Sequence, residues 1–325
     1  MPRTTLGLPA ILQAGRRIAP FIPHTPLVRS AFLSAHTQAD VWLKLECRQT
    51  TGSFKVRGAL NKVGLLSPGE KARGLVTASA GNHAFGVAYA VRAWGGVSAD
   101  IFVQANAPRA KVDKLRYFDV SVHLEGETYE ATHQAAEAFA QATGATYIAA
   151  YDDLDVIAGQ GTIGLEILSD LPQTDLILVP VGGGGMLAGI ATAAKTMQPG
   201  CRVIGLQPEA SPAALLSLRD GIPYDPYDHA PTIADGLAGG FGAIPFYVAR
   251  TLIDQVLLAS EAELRRAIFT LVDREQLVVE ASGAIAIAPL LSGSLDVAGQ
   301  TVVCVLSGGN LATTLLRDIL NEFAA

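Results

Sequence analysis

The sequence predicts an α/β protein in which helices cover two open, mainly parallel sheets. Short apolar runs alternate with longer amphipathic patterns along most of the chain, as is typical of parallel strands joined by helices. Half of the 325 residues are apolar and 17% are charged, a composition typical of a globular protein with a sizeable core. Several of the 33 glycines cluster directly after apolar runs, so close backbone approaches are expected where strands end.

The first group of predicted elements lies between Gly74 and Ile148. Its strands are predicted at 75–77, 100–103, 120–124 and 146–148, and its helices at 84–94, 109–117 and 129–142. The last of these helices is expected to end at Gly144, because glycine commonly follows a helix C-terminus. We expect these strand-helix units to form one sheet.

A second group of strands, at 176–179, 203–206 and 302–306, is expected to form the other sheet. Ser260 and Glu263 have the spacing of a capping box, which predicts a helix from there to about Asp273. The uncharged stretch 176–194 is long enough to span a bilayer. Pro180 and the glycines after it favour a strand, a loop and a helix from about Met186 instead.

Charge and cysteine usage narrow the function classes. The chain has 24 basic and 30 acidic residues, a net charge of −6 and no basic run, so nucleic-acid binding is not indicated. Cys47, Cys201 and Cys304 lie far apart in the sequence, without the spacing of a metal or redox pair. The short apolar stretch 8–12 does not suit a signal peptide. Together these features predict a cytoplasmic protein.

Lys55 is the first candidate reactive group. It follows the turn Thr51-Gly52-Ser53 and starts an apolar helical pattern beside Phe54. Partial burial there would lower the pKa of the lysine and expose a nucleophilic amine. The alternative is a surface lysine at a helix N-terminus, a place that the helix dipole disfavours for a cation.

Two further segments place polar groups directly after predicted strands. Ser79-Ala80-Gly81-Asn82-His83 offers backbone amides to an anion, or else is an ordinary helix N-cap with a hydrogen-bonded His83. Leu306-Ser307-Gly308-Gly309-Asn310 places Ser307 at the carboxyl end of the last strand. Its alternative is a turn in which Asn310 caps the final helix.

The fourth segment is Val181-Gly182-Gly183-Gly184-Gly185-Met186, which follows a buried apolar run. Glycines weaken strands and helices but let the backbone wrap a phosphate at a helix N-terminus. The loop lacks the Gly-Lys-Ser/Thr of a nucleotide-binding P-loop and the acidic partner of a dinucleotide site. A single phosphate monoester therefore fits better than a nucleotide. The alternative is a tight turn with close helix packing.

A lysine, a phosphate loop and two polar strand ends are the parts that a pyridoxal-phosphate site needs. With these motifs, the chain resembles the fold-type II pyridoxal-phosphate enzymes of the serine/threonine dehydratase and serine racemase family. The resemblance runs over nearly the whole length. It includes the segments 24–27, 157–162, 232–236 and 280–284, which read His-Thr-Pro-Leu, Ile-Ala-Gly-Gln-Gly-Thr, Thr-Ile-Ala-Asp-Gly and Glu-Ala-Ser-Gly-Ala.

The resemblance implies a role for each motif residue. Lys55 would carry the cofactor as a Schiff base and take the Cα proton of the substrate. The implied cofactor-binding residues are Phe54, Lys55, Asn82, Gly182, Gly183, Gly184, Gly185, Met186, Gly236 and Ser307. The implied substrate-binding residues are Ser79, Ala80, Gly81, Asn82 and His83. A small mobile domain, 74–148, would be inserted into a large cofactor-binding domain, 1–73 plus 149–325, and the assembly would be a homodimer.

Departures from the family pattern refine the implied reaction. Serine racemases carry a serine at the position of Ala80, so a racemase lacks its second acid-base group here and elimination of water is favoured. Cation-dependent relatives carry carboxylates near Gln207 and Ala213, so no metal site is expected unless Glu209 compensates. The glycine pair 239–240 replaces serine, which leaves open a larger pocket for a phenylserine or hydroxyaspartate type of substrate.

The leading hypothesis is therefore an ammonia-lyase that converts a β-hydroxy-L-amino acid of the threonine or serine type into a 2-keto acid and ammonia. A dehydratase of a larger hydroxy amino acid is the alternative. An amino acid racemase and a β-replacement enzyme are weaker hypotheses. A ligand-binding protein without catalysis is disfavoured, because the lysine, the glycine loop, Asn82 and Ser307 are all present.

Overall fold

A computed structural model describes residues 5–323 of the chain. In chain order the strands are β1 (Leu27–Arg29), β2 (Asp40–Lys44), β3 (Leu75–Ala78), β4 (Ala99–Val103), β5 (Ser121–Leu124), β6 (Thr146–Tyr147), β7 (Leu176–Pro180), β8 (Arg202–Pro208), β9 (Gln255–Ala259) and β10 (Thr301–Val305).

The α-helices are α1 (Leu8–Ile18), α2 (Ala31–Thr37), α3 (Lys55–Leu65), α4 (Pro68–Arg73), α5 (Asn82–Trp94), α6 (Arg109–Leu115), α7 (Tyr129–Thr143), α8 (Leu154–Asp170), α9 (Gly185–Met197), α10 (Ala213–Asp220), α11 (Ala243–Ala249), α12 (Glu261–Glu275), α13 (Ala281–Ala284), α14 (Ala288–Ser292) and α15 (Thr313–Phe323).

These elements form two sheets, as the sequence predicts. The four-stranded sheet has the order β5-β4-β3-β6 and is parallel throughout. The six-stranded sheet has the order β1-β2-β10-β7-β8-β9, and only β1 pairs with its neighbour in the antiparallel sense. Parallel strands bring their carboxyl ends to one edge, which is where sites form in open α/β sheets.

Most element predictions are confirmed, with shifts of one or two residues at their ends. The helix predicted at 84–94 begins at Asn82, and the one predicted at 109–117 ends at Leu115. The capping box of Ser260 and Glu263 is present, and its helix extends to Glu275. No prediction covered β1, β2 or β9. No helix within residues 5–323 is long and apolar enough to cross a membrane.

Close helix packing holds the start of α3 in place. A Cβ at Gly86 of α5 would lie 3.0 Å from the carbonyl carbon of Lys55. A Cβ at Gly159 of α8 would lie 2.6 Å from the carbonyl oxygen of Arg57. Only glycine permits such approaches, so both neighbouring helices touch the backbone of α3 directly. Lys55 therefore extends from a rigid helix end.

A buried network of ion pairs also holds α3 in place through its residue Arg57. The Arg57 guanidinium is 1% exposed and donates to Glu46 at 2.8 Å and to Glu166 at 2.6 Å. The fully buried Lys44 contacts Glu166 at 2.6 Å. Buried charges persist only when they are paired and hydrogen-bonded, and each of these is.

Candidate active site

The Lys55 segment is fastened directly to the Ser307 turn. Phe54 N donates to the carbonyl oxygen of Ser307 at 3.0 Å, and Gly309 N donates to that of Gly52 at 2.8 Å. Ser53 and Gly308 form an isolated antiparallel bridge between these two hydrogen bonds. Two motifs that are far apart in sequence therefore make one continuous wall at the carboxyl end of β10.

Lys55 has the environment of a reactive amine. Its Nζ donates to the carbonyl oxygen of Ala150 at 3.0 Å and lies 5.2 Å from the Phe54 ring centre. Among the described residues, no carboxylate forms an ion pair with it. Burial lowers the pKa of Lys55 to about 8, although the charge of Glu280 opposes this shift. A half-buried lysine whose amine is desolvated and has no bonded counter-ion makes the neutral amine available.

The glycine loop has the geometry of a phosphate cradle. The backbone amides of 182–187 donate to no acceptor in the part of the chain that the structure describes. They precede and begin the 13-residue helix α9, whose dipole favours an anion there. A run of free amides at a helix N-terminus fits the phosphate of a cofactor better than the alternative of a simple tight turn.

The loop requires glycine because other protein atoms lie where its Cβ atoms would be. A Cβ at Gly182 would lie 2.8 Å from the carbonyl oxygen of Gly236. A Cβ at Gly183 would overlap the Tyr151 ring, and one at Gly184 would overlap Phe241. Gly184 also has a φ of +89°, in the left-handed region that glycine tolerates best. Glycine thus permits the close packing of this loop, whose amides remain without acceptors among the described residues.

A second set of free amides lies at the N-terminus of α5. The amides of Asn82, His83 and Ala84 have no acceptor among the described residues. His83 Nε2 lies 3.1 Å from the carbonyl oxygen of Ile148. Burial and the charge of Lys55 lower the pKa of His83 to about 3, so the ring is neutral. The Ser79-to-His83 turn can therefore bind an anion through its backbone.

The Asn82 side chain bonds Glu280 and Asn310, two residues far away in the sequence, and sequence reasoning missed both contacts. Its Nδ2 donates to Glu280 Oε1 at 2.7 Å, and its Oδ1 accepts from Asn310 Nδ2 at 2.7 Å. The alternative prediction that Asn310 caps the final helix is wrong, since α15 begins only at Thr313. Burial and the charge of Asp235 raise the pKa of Glu280 to about 7.

Ser307 and Gly236 both form hydrogen bonds with Ser282. The Ser307 side chain is 3% exposed, and its Oγ donates to the carbonyl oxygen of Ser282 over a long 3.4 Å. Gly236 N donates to Ser282 Oγ at 3.0 Å. Ser307 is thus held at the strand end by a weak bond, and its hydroxyl remains able to bond a stronger partner.

The glycine pair 239–240 does not enlarge the pocket on the Gly240 side. A Cβ at Gly240 would overlap the Asp225 carboxylate. That carboxylate accepts from the Tyr151 hydroxyl at 3.1 Å and 3.2 Å. Asp225 comes from the loop before the Thr232-to-Gly236 motif and occupies the space that a serine side chain would take. The sequence carries no local signal for this approach.

Gln207 is engaged in capping a helix. Its Oε1 accepts from Ala214 N at 2.9 Å and Leu215 N at 3.2 Å, at the start of α10. Ala213 has no ligating atom in its side chain, and Glu209 is exposed. Within residues 5–323 there is no cluster of three or more histidine, cysteine or acidic side chains placed to hold a metal.

The pKa of Glu280 gives a prediction for stability. A carboxyl whose pKa is higher in the fold than its usual 4.5 stabilises the fold below about pH 4.5, and this contribution is lost as pH rises through about 7. Glu280→Gln removes the titration. We expect the wild type to lose about 3 kcal/mol of unfolding free energy relative to this variant between those values. Denaturant unfolding across that pH range measures the difference, and parallel curves would contradict it.

Comparison with known proteins agrees with this geometry. The family model described as "Pyridoxal-phosphate dependent enzyme" matches residues 18–308. The chain is 40% identical over 318 residues to L-threonine ammonia-lyase of Thermotoga maritima, covering 98% of this chain and 79% of that protein. It is 39% identical over 312 residues to the catabolic L-threonine dehydratase of Escherichia coli, covering 95% and 94%. The structure of maize serine racemase superposes with a TM-score of 0.90 at 30% identity, covering 98% of each chain.

Proposed function

The chain belongs to the pyridoxal-phosphate dependent enzyme family, and on that premise we propose an ammonia-lyase that converts L-threonine and L-serine into 2-keto acids and ammonia. It is a fold-type II, pyridoxal-phosphate dependent lyase. The observation that carries the proposal is the desolvated Lys55 amine, in a fold that also presents two rows of backbone amides without acceptors among the described residues. One row suits a cofactor phosphate and the other suits an amino acid carboxylate.

The residues present fit the cofactor at each point. Lys55 would hold it covalently, with Phe54 against its ring and the amides of Gly182, Gly183, Gly184, Gly185 and Met186 around its phosphate. Asn82 would bond the ring hydroxyl, Ser307 would face the ring nitrogen, and Gly236 would contribute backbone beside it. When bound, pyridoxal phosphate supplies an electron sink for the bond broken at Cα.

The chain's own groups perform the binding and proton steps. The free amides of Asn82, His83 and Ala84 would hold the substrate carboxylate at the start of α5. The Lys55 amine would take the Cα proton, which a lowered pKa makes efficient near neutral pH. The Ser307 hydroxyl would form a hydrogen bond with the ring nitrogen. Unlike an acid, it would not transfer its proton to that nitrogen.

The net reaction balances without a further reactant. Loss of the Cα hydrogen and the β-hydroxyl releases one water from the amino acid. Hydrolysis of the resulting enamine product takes one water back and releases ammonia. The products are therefore one 2-keto acid and one ammonia for each L-threonine or L-serine consumed.

Asp225 argues against an acidic substrate side chain. Its carboxylate fills the space beside Gly240, where the pocket would otherwise widen. A substrate carboxylate directed toward Gly240 would be repelled by this charge. Asp225 also takes the room that the phenylserine hypothesis expected beside Gly240, whereas a Cβ at Gly239 would have no atom within 4 Å. L-Threonine and L-serine are thus favoured over hydroxyaspartate and phenylserine.

A substrate panel tests this proposal. We would measure 2-keto acid release by the cofactor-loaded protein from L-serine, L-threonine, L-threo-3-hydroxyaspartate, L-threo-3-phenylserine and D-serine. The expected kcat/KM is highest for L-threonine or L-serine and is unchanged by EDTA. A preference for hydroxyaspartate would overturn the role given to Asp225, and a preference for phenylserine would show that the filled space beside Gly240 does not limit the size of the substrate.

Ala80 gives a prediction about the racemase alternative. Its methyl group carries no proton for the face of Cα opposite Lys55, so the wild type should convert L-serine to D-serine at a negligible rate. Ala80→Ser adds a hydroxyl there, and we expect D-serine formation to rise at least about tenfold. Chiral chromatography of the serine pool measures it. Equal D-serine formation by both proteins would show that this position does not control the outcome.

Cofactor incorporation gives a second prediction. The Lys55 amine must be unprotonated to condense with the aldehyde and expel water. Because burial lowers the pKa of Lys55 to about 8, the incorporation rate of pyridoxal phosphate into the apoprotein should level off just above that pH. Stopped-flow absorbance follows the reaction. A rate still rising steeply through about pH 10 would mean an ordinary, solvated lysine.

We also propose the division into a small domain, 74–148, and a large domain, 1–73 plus 149–325, with residues 1–4 and 324–325 outside the described part. The two sheets support this division. Lys111 and Asp235 form an ion pair of 2.9 Å across the two parts. A cytoplasmic homodimer is proposed as well, supported by three free cysteines and by the family resemblance.

A further inference from the structure

The Asn82 side chain presents two chemically different edges. Its Nδ2 donates two hydrogen bonds and its Oδ1 only accepts, so a 180° turn of the amide would exchange donor for acceptor. The atoms around it decide which edge is free. Glu280 Oε1 accepts from Nδ2 at 2.7 Å, and Asn310 Nδ2 donates to Oδ1 at 2.7 Å.

The orientation of the Asn310 side-chain amide is fixed by a backbone carbonyl, which can only accept hydrogen bonds. Its Nδ2 also donates to the carbonyl oxygen of Thr51 at 3.0 Å. A backbone carbonyl can only accept, so Asn310 must keep its NH₂ on this side. Turning Asn82 over would then set its NH₂ against the NH₂ of Asn310. It would also set its oxygen against the Glu280 carboxylate.

Two glycines make room for this arrangement. A Cβ at Gly308 would overlap the Glu280 carboxylate and would lie 3.2 Å from Asn82 Nδ2. A Cβ at Gly52 would lie 2.9 Å from Asn310 Oδ1. Glu280 N in turn donates to the carbonyl oxygen of Gly308 at 3.0 Å, which ties the acid to the Ser307 turn. The carboxylate therefore reaches Asn82 from a fixed backbone position.

We propose that Glu280 is a positioning residue, which holds Asn82 in the one orientation that directs an N–H toward the cofactor's ring hydroxyl oxygen. This inference rests on the proposed contact between Asn82 and the cofactor. One N–H of Asn82 donates to Glu280, and the Asn82 side-chain oxygen accepts from Asn310. The second N–H is the group left for the cofactor, and donation there stabilises the negatively charged form of the ring oxygen.

The proposal distinguishes two substitutions of the same residue. Glu280→Gln keeps an oxygen that can accept from Asn82, so it should retain most of the positioning. Glu280→Leu keeps the approximate size of the side chain and removes the acceptor, so that Asn310 alone opposes a turn of the Asn82 amide. Glu137→Leu is the matched control, because Glu137 is 49% exposed on α7, where its carboxylate lies 3.8 Å from the His133 ring.

The test measures pyridoxal phosphate binding to the apoproteins and the pH midpoint of the bound cofactor's visible absorbance. We expect Glu280→Leu to weaken binding about tenfold and to shift the midpoint, the effect of one lost charge-assisted hydrogen bond. Glu280→Gln should stay within about threefold of wild type, and Glu137→Leu should match it. Thermal unfolding of each variant confirms that it folds.

A double substitution separates positioning from general support of the site. If Glu280 acts through Asn82, adding Glu280→Leu to Asn82→Ala should weaken cofactor binding no further. Additive losses, or a Glu280→Leu protein that binds and titrates like the wild type, would overturn the proposal. No substrate is present in these measurements, so failure of the proposed lyase activity would leave their result unaffected.

Discussion

Lys55→Ala is expected to lower kcat for keto acid release at least about a thousandfold. The substitution removes both the covalent attachment point and the base for the Cα proton, two contributions that general base and nucleophilic catalysis make separately. Burial also lowers the pKa of Lys55 to about 8.

The measurement is a steady-state assay beside an absorbance spectrum of each protein after dialysis. The variant should lose the visible band of the bound cofactor, while Lys71→Ala, a change at a lysine on α4, should keep both band and activity. A Lys55→Ala protein with a tenth or more of wild-type activity would contradict the assignment. Loss of activity in the Lys71 control would point to a general effect on the fold.

Gly184→Ala is expected to weaken pyridoxal phosphate binding about a hundredfold. The φ of +89° disfavours any residue with a Cβ, and that Cβ would overlap Phe241, which is fully buried. The loop must move to relieve the overlap, and the amides of 182–187 then lose their common direction. Several charge-assisted hydrogen bonds to a phosphate weaken together, each contributing about 1.5–3 kcal/mol.

Cofactor titration of the apoprotein measures this effect, with Gly293→Ala as the matched control. Gly293 has a φ of +71°, and no atom lies within 4 Å of the place that its Cβ would take, so this variant carries the backbone strain without the overlap. Gly184→Ala combined with Phe241→Leu should recover part of the lost affinity. Equal affinities for wild type and Gly184→Ala would exclude the loop as the phosphate site.

The sequence was sufficient where an element depends on its own residues. The apolar strands β7, β8 and β10 and the capped helix α12 were predicted because burial and capping leave a local pattern. β2 escaped prediction because it begins with Asp40 and ends with Lys44. The buried Lys44 is paired with Glu166, on a distant helix, and no local pattern reports such a partner.

The same distinction separates the site residues. Lys55, the glycine loop and Ser307 could be singled out because their residue types are unusual where they stand. Glu280 could be identified only from its contact with Asn82, far away in the chain. Asp225 and Tyr151 could be identified only from their contact with each other and from the approach of Asp225 to Gly240. Glu280 did belong to a recognised motif, but its bond to Asn82 depends on how the two sheets face each other.

The measurement that tests the account most directly is the yield of ammonia and 2-keto acid from L-threonine with the cofactor-loaded protein. The lyase assignment predicts equal amounts of both, formed without added thiol and without D-threonine or allo-threonine in the remaining pool. Release of neither product, with the cofactor still bound, would contradict the assignment. Epimerised substrate without ammonia would replace it with a racemase, in spite of Ala80.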